Sequence, residues 1–112
     1  NNHLCIKMKS IKKKNLNNIY KNLEGIIKKF NINLSIFRKN NEHIEIRTYE
    51  NGVGETLSCG SASLCVASSF LSNINKSVKV KSIGGELNFK KGKDNIIVRG
   101  PANLIYKGNM NE

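Results

Sequence analysis

The chain holds three cysteines, Cys5, Cys59 and Cys65, and one of them stands where a thiol could do chemistry. Cys59 closes the run Tyr49-Glu50-Asn51-Gly52-Val53-Gly54-Glu55-Thr56-Leu57-Ser58-Cys59 and is followed by Gly60-Ser61-Ala62-Ser63. The glycines at 52 and 54 predict a loop. The small and apolar residues from Ser61 to Leu71 carry no charge and predict a helix enclosed by other elements. Cys59 then lies where that helix begins. The first turn of a helix offers unpaired N–H groups and a partial positive charge. Such a position favours a thiolate and can hold a carboxylate on the N–H groups of Gly60 and Ser61. A thiolate beside a bound carboxylate is a competent base for removing the α-proton of an amino acid. The residues alone leave a second reading open, a small buried cysteine filling space beside a helix cap.

The longer string narrows the choice. Glu50, Gly52, Gly54, Glu55, Thr56, Cys59, Gly60 and Ser61 match the pattern E-R-G-x-G-E-T-x-x-C-G-[ST]-G, and in this the chain resembles the diaminopimelate epimerases. The resemblance runs over nearly the whole length. Asn1-Asn2-His3 is similar to a G-N-P-H segment entering a strand, and Asn33 to an asparagine of the strand after the helix. Gly84-Gly85-Glu86-Leu87 and Gly100-Pro101-Ala102 are similar to a closing hairpin and a final turn.

The resemblance implies an isomerase of lysine and peptidoglycan precursor synthesis that interconverts LL- and meso-diaminopimelate. Two cysteines face opposite sides of the α-carbon, one removing a proton and the other returning one, with no pyridoxal phosphate, other cofactor or metal. Cys59 matches the base for the LL isomer, and Gly60 and Ser61 the carboxylate donors. His3 and Glu50 match a pair that tunes the thiol, and Asn1, Asn33, Glu50 and Asn51 fall at substrate-binding positions. Each also has a plainer reading: His3 as a strand histidine, Glu50 as a turn carboxylate, Asn1 and Asn33 as two of eighteen asparagines. Cys5 and Cys65 match no catalytic position and are expected in the core. His43 is expected at the surface.

The chain departs from the pattern in three places. Asn51 stands where the family has an arginine for the distal carboxylate, and an amide cannot make that bidentate, charged contact. The loss is about 2–4 kcal/mol of substrate binding. Ala62 replaces a glycine in the helix's first turn and is expected to narrow the carboxylate pocket. The second cysteine, in a C-G-N-G context, is absent. With Asn1 first and no initiator methionine, the chain is expected to be a C-terminal half (one domain, residues 1–112) whose N-terminal half is missing, and to be inactive alone. The intact enzyme is expected to be a homodimer. The alternatives are a degenerate, non-catalytic epimerase-fold binding domain and a related racemase or isomerase.

The elements that must position these residues can be read from periodicity. A strand is predicted from His3 to Met8, and apolar residues at 16, 19, 20, 23, 26, 27 and 30 predict one amphipathic helix. Ile32, Leu34 and Ile36 alternate, as do Ile44 and Ile46, so two strands flank the turn at Arg38-Lys39-Asn40-Asn41. Gly84-Gly85 predicts a hairpin, Lys91-Gly92-Lys93-Asp94 a second turn, and a last strand runs from Leu104 to Tyr106. The fold class is α+β: a mostly antiparallel sheet wrapped around a central uncharged helix, with one outer amphipathic helix.

Composition sets the remaining bounds. The formal charge is +11, yet sixteen of the nineteen cations are lysine and aromatics are 6%. The lysines are scattered and abundant alongside asparagine and isoleucine, a pattern that AT-rich coding also produces, so nucleic acid is not an expected partner. Three cysteines without a CxxC pair argue against a disulfide framework or structural zinc. No run is long enough to span a membrane and no signal peptide opens the chain, so a cytoplasmic protein acting on a small molecule is expected.

Overall fold

A computed structural model describes residues 2–73 and 76–100, and the backbone of 104–109. Alternating apolar residues build β1 (Asn2–Lys7), β2 (Ile32–Lys39) and β3 (Ile44–Glu50). β1 and β2 run parallel, so the chain between them must cross a face of the sheet. Helices α1 (Leu16–Asn22) and α2 (Glu24–Phe30) make that crossing. β3 returns antiparallel to β2 through a turn in which Asn40 Oδ1 accepts from the N–H groups of Glu42 and His43, both at 2.8 Å.

A three-residue strand, β4 (Gly54–Thr56), folds back along β3. Helix α3 (Gly60–Ser68) then crosses the other face to reach β5 (Ser77–Ser82), which pairs parallel with β3. β6 (Gly85–Lys91), β7 (Asn95–Arg99) and β8 (Leu104–Asn109) continue as an antiparallel meander. The sheet order is β1-β2-β3-β5-β6-β7-β8, with β4 attached to β3. This is the expected α+β architecture.

Two apolar layers flank the sheet. Leu34 and Ile36 of β2, both 0% exposed, pack with Ile11, Leu16, Tyr20 and Ile27 under α1 and α2. On the other face Phe37, Ile44, Ile46, Val80, Phe89, Ile96 and Val98 close around Ala62, Val66 and Ala67 of α3. The sheet curves around α3, which touches β1, β3, β5 and β6.

Three expectations need correction. The single helix expected over Leu16 to Phe30 is broken at Leu23, where the N–H turns to Tyr20 O at 3.0 Å in a tighter turn. Gly25, a poor helix former, follows at once. The break lets Ile27 reach the core while Ile26 and Phe30 stay more than half exposed. The loop expected up to Gly60 contains β4. Cys65, expected in the core, is exposed, because α3 buries only the flank carrying Ala62, Ser63, Val66 and Ala67. The final turn at Pro101-Ala102 lies outside the described residues.

Substitutions check this inside-outside assignment. Phe89→Ala should cost about 3–5 kcal/mol and Ile26→Ala no more than about 0.5 kcal/mol in urea unfolding. Similar costs for the two would contradict the packing described.

Candidate functional site

Strand register puts the sequence-predicted residues together. His3 pairs with Asn33 across β1 and β2, and Asn33 is followed by Leu34, which pairs with Tyr49. His3, Asn33 and Glu50 therefore form a row across three strands, on the face that α3 covers. A second row lies behind it: Cys5 opposite Ser35, Ser35 opposite Thr48, Thr48 opposite Thr56. The hydroxyls of Ser35 and Thr48, both buried, share a hydrogen bond at 2.7 Å. The apolar side chains begin only with the next row, at Phe37 and Ile46. One end of the sheet thus has a polar inner face.

Cys59 lies against this face as the N-cap of α3. Its backbone is extended (φ −138°, ψ 108°), and its carbonyl accepts from Ser63 N–H at 3.0 Å, starting the helix. No side chain caps the helix start, so the first-turn N–H groups of exposed Gly60 and Ser61 are open to a ligand. The half-buried thiol has one polar neighbour, Ser61 Oγ at 3.4 Å. A Cβ built on Gly60 would meet nothing within 4 Å, so the space in front of the turn is free.

Electrostatics differ from residue to residue. Burial holds the His3 pKa below its ordinary 6.5, and Glu50 opposes it from the same row. His3 is thus a neutral ring near pH 7, with a buried Nδ1 that has no partner among the described residues. The Cys5 thiol is pushed up to about 12, first by burial and then by the neighbouring Cys65 and Cys59 thiols. Cys5 stays a protonated thiol in the wall of the site. Among the described residues no three His, Cys, Asp or Glu side chains gather as a metal site.

The asparagines separate. Asn33 is 7% exposed, and its Oδ1 accepts from the N–H of Asn51 at 3.0 Å. The Asn51 amide donates to Asn31 Oδ1 at 2.8 Å and its Oδ1 lies 3.5 Å from Tyr20 OH. That side chain is therefore committed to the α1–α2 side. Asn1 lies outside the described residues. A cleft of about 540 Å³ opens on the opposite face of the sheet, lined by Ile11, Glu45, Arg47, Glu55, Lys81 and Ile83 among others. Its arginine and Glu55 already neutralise each other across the cleft.

The family profile described as diaminopimelate epimerase matches residues 1–105. The chain belongs to the diaminopimelate epimerase family. A diaminopimelate epimerase from Buchnera aphidicola is 34% identical over 114 residues, covering 96% of this chain and 40% of that protein. Those from Methanocella arvoryzae (35% identity, 70% of this chain, 29% of the relative) and Rhodopseudomonas palustris (39%, 60% and 25%) agree. The chain spans less than half the length of these relatives.

The structure gives parts of the epimerase motif a physical reason. Gly52 and Gly54 have φ of 84° and 114°, a region that side chains enter only under strain. Ala62 is 0% exposed and turned into the core, so the expectation that it narrows the carboxylate pocket is overturned. His43, expected at the surface, is half-buried with Nε2 3.2 Å from Glu45. Residue-by-residue reading missed Arg47, the partner of motif residue Glu55, and the Ser35–Thr48 pair. An opposite charge two positions off register across the β3–β4 turn was the available signal for the first. Nothing short of the strand register could have paired Ser35 with Thr48.

Two outcomes follow for the ionisable groups. At neutral pH iodoacetamide should label Cys65 readily and leave Cys5 untouched, read by peptide mass spectrometry; equal labelling would contradict the raised Cys5 pKa. His3 contributes no penalty above its ordinary value, but as pH falls below 6.5 the unfolded chain takes the proton first, and stability drops until the lowered folded pKa is passed. His3→Gln should flatten the fall in melting temperature between about pH 7 and about pH 5.

Proposed function

We propose that this chain is the C-terminal half of a diaminopimelate epimerase and that Cys59 is one of its two proton-transfer groups. The observation that carries the reading is a thiol at the uncapped start of α3, packed with Cys5 on the sheet face whose register also aligns His3 and Asn33. The substrate's α-carboxylate would sit on the N–H groups of Gly60 and Ser61, where the helix end favours negative charge. That places the α-carbon beside Sγ of Cys59, which takes the proton of the LL isomer. The same N–H groups stabilise the charge that builds on the carboxylate as the proton leaves. Neutral His3 and Glu50 tune the thiol from the sheet, and Asn33 Nδ2 and Asn1 hold the substrate's far end.

The opposing thiol belongs to an N-terminal half in the longer enzyme. Support for such a half comes from the open flank of α3 and from Val53 and Leu57, 76% and 66% exposed. It also comes from relatives more than twice the length of this chain. The intact enzyme would be a homodimer in amino-acid and peptidoglycan precursor synthesis. A second reading, a non-catalytic binding domain, draws on Asn51, whose amide is tied to Asn31 and supplies no charge to a distal carboxylate.

Joining the chain to the N-terminal half of the Buchnera relative, in cis or as a second polypeptide, tests the first reading. Solvent deuterium should enter the α-position of LL-diaminopimelate, and Cys59→Ala should cut exchange by about 10²–10⁴-fold. Absence of exchange, or exchange indifferent to Cys59→Ala, would sink it. Asn51→Arg should lower KM for diaminopimelate about tenfold or more if the distal contact is what is missing.

A further inference from the structure

We propose that Arg47 and Glu55, on the face of the sheet away from the thiol, are a positioning pair that sets where Cys59 stands. The proposal rests on the reading of Cys59 given above.

β4 is the only regular structure between the Gly52–Val53 turn and Cys59, and it is three residues long. Its ladder to β3 holds three residue pairs, one of which sets Gly54 opposite Glu50. A shift of β4 therefore moves the Glu50 turn and the Cys59 loop together. So short an edge strand needs further attachment, and Glu55 provides it. Arg47 donates from Nε to Glu55 Oε2 and from Nη2 to Glu55 Oε1, both at 2.7 Å. The same guanidinium donates from Nη1 to Ile11 O at 2.6 Å and Lys14 O at 2.7 Å. One planar cation thus ties together β3, β4 and the turn that precedes α1. The two-point carboxylate contact and the two further carbonyl acceptors give the pair a fixed geometry that a simple surface ion pair lacks.

The loop between Glu55 and Cys59 is fixed a second time. Leu57 O accepts from Gly84 N–H at 2.7 Å. A Cβ on Gly84 would lie 3.1 Å from Leu57 Cβ and 3.2 Å from its carbonyl oxygen, so a side chain there would push the Leu57 loop back by a few tenths of an ångström. Downstream, Cys59 O is held by Ser63 N–H at 3.0 Å. The thiol hangs between these anchors. Arg47 and Glu55 point to the α1–α2 side and cannot touch a substrate at Cys59, so their action is through the backbone of β4.

The test reads each cysteine of this chain separately with two alkylating reagents of similar size, iodoacetate and neutral iodoacetamide. An anion-holding turn beside Cys59 should raise the iodoacetate-to-iodoacetamide rate ratio there above that of Cys65. Glu55→Gln and Arg47→Lys should each lower the Cys59 ratio several-fold, up to about tenfold, because sub-ångström misplacement of a reacting group is costly. The ratio at Cys65 should change little. An unaltered Cys59 ratio in both variants overturns the proposal. So does a joint rise in labelling of Cys5, Cys59 and Cys65, which reports a loosened fold rather than a displaced thiol. A wild-type chain whose Cys59 ratio equals that of Cys65 refutes the anion-site reading itself, and the pair's assigned role with it.

Discussion

The register of β2 between β1 and β3 is the constraint on which the rest of the molecule depends. Residues 33–37 are buried on both faces, so every side chain of that strand has a definite side. Leu34 and Ile36 anchor α1 and α2, while Asn33, Ser35 and Phe37 look toward α3. A slip of one residue would send Leu34 into the polar row and Asn33 under the helices. Two full apolar layers penalise that slip, and the arrangement of His3, Asn33 and Glu50 is fixed by the same penalty.

The two faces of the sheet divide the labour. The α3 face carries the Cys5 and Cys59 thiols, a neutral imidazole, one carboxylate and the hydroxyls of Ser35, Thr48 and Thr56. The other face carries the Arg47–Glu55 pair and the Tyr20–Tyr49 stack, whose ring centres are 4.1 Å apart. The charged and stacked contacts thus lie on the face away from the thiol. Buried groups with unused hydrogen-bonding capacity among the described residues, His3 Nδ1 and Thr56 Oγ1, lie on the thiol's face.

Much of this was legible beforehand because it rests on local pattern. Alternation at Ile32, Leu34 and Ile36 marked β2, the charge-free run marked α3, and Gly84-Gly85 marked a turn. The Glu50-to-Ser61 string located the candidate site through resemblance rather than through any property of the residues alone. The rest depended on contacts distant in sequence. Leu23 breaks a helix whose apolar spacing is continuous, because packing on a curved sheet overrides periodicity. Ala62 has the size of a residue at a pocket rim, yet its position on α3 directs it into the core. Cys65 is as apolar as its neighbours and sits on the uncovered flank. Arg47 needed two carbonyls more than thirty residues away to give it a role.

The absence of charge along α3 has one more consequence. Lysine and arginine make up 19 of the 112 residues, but none lies between Arg47 and Lys76. No basic side chain of that segment adds to the field at the start of α3, where the aligned peptide dipoles supply a fixed positive contribution. That contribution belongs to the backbone, so it persists whatever lysines the rest of the sequence gains or loses.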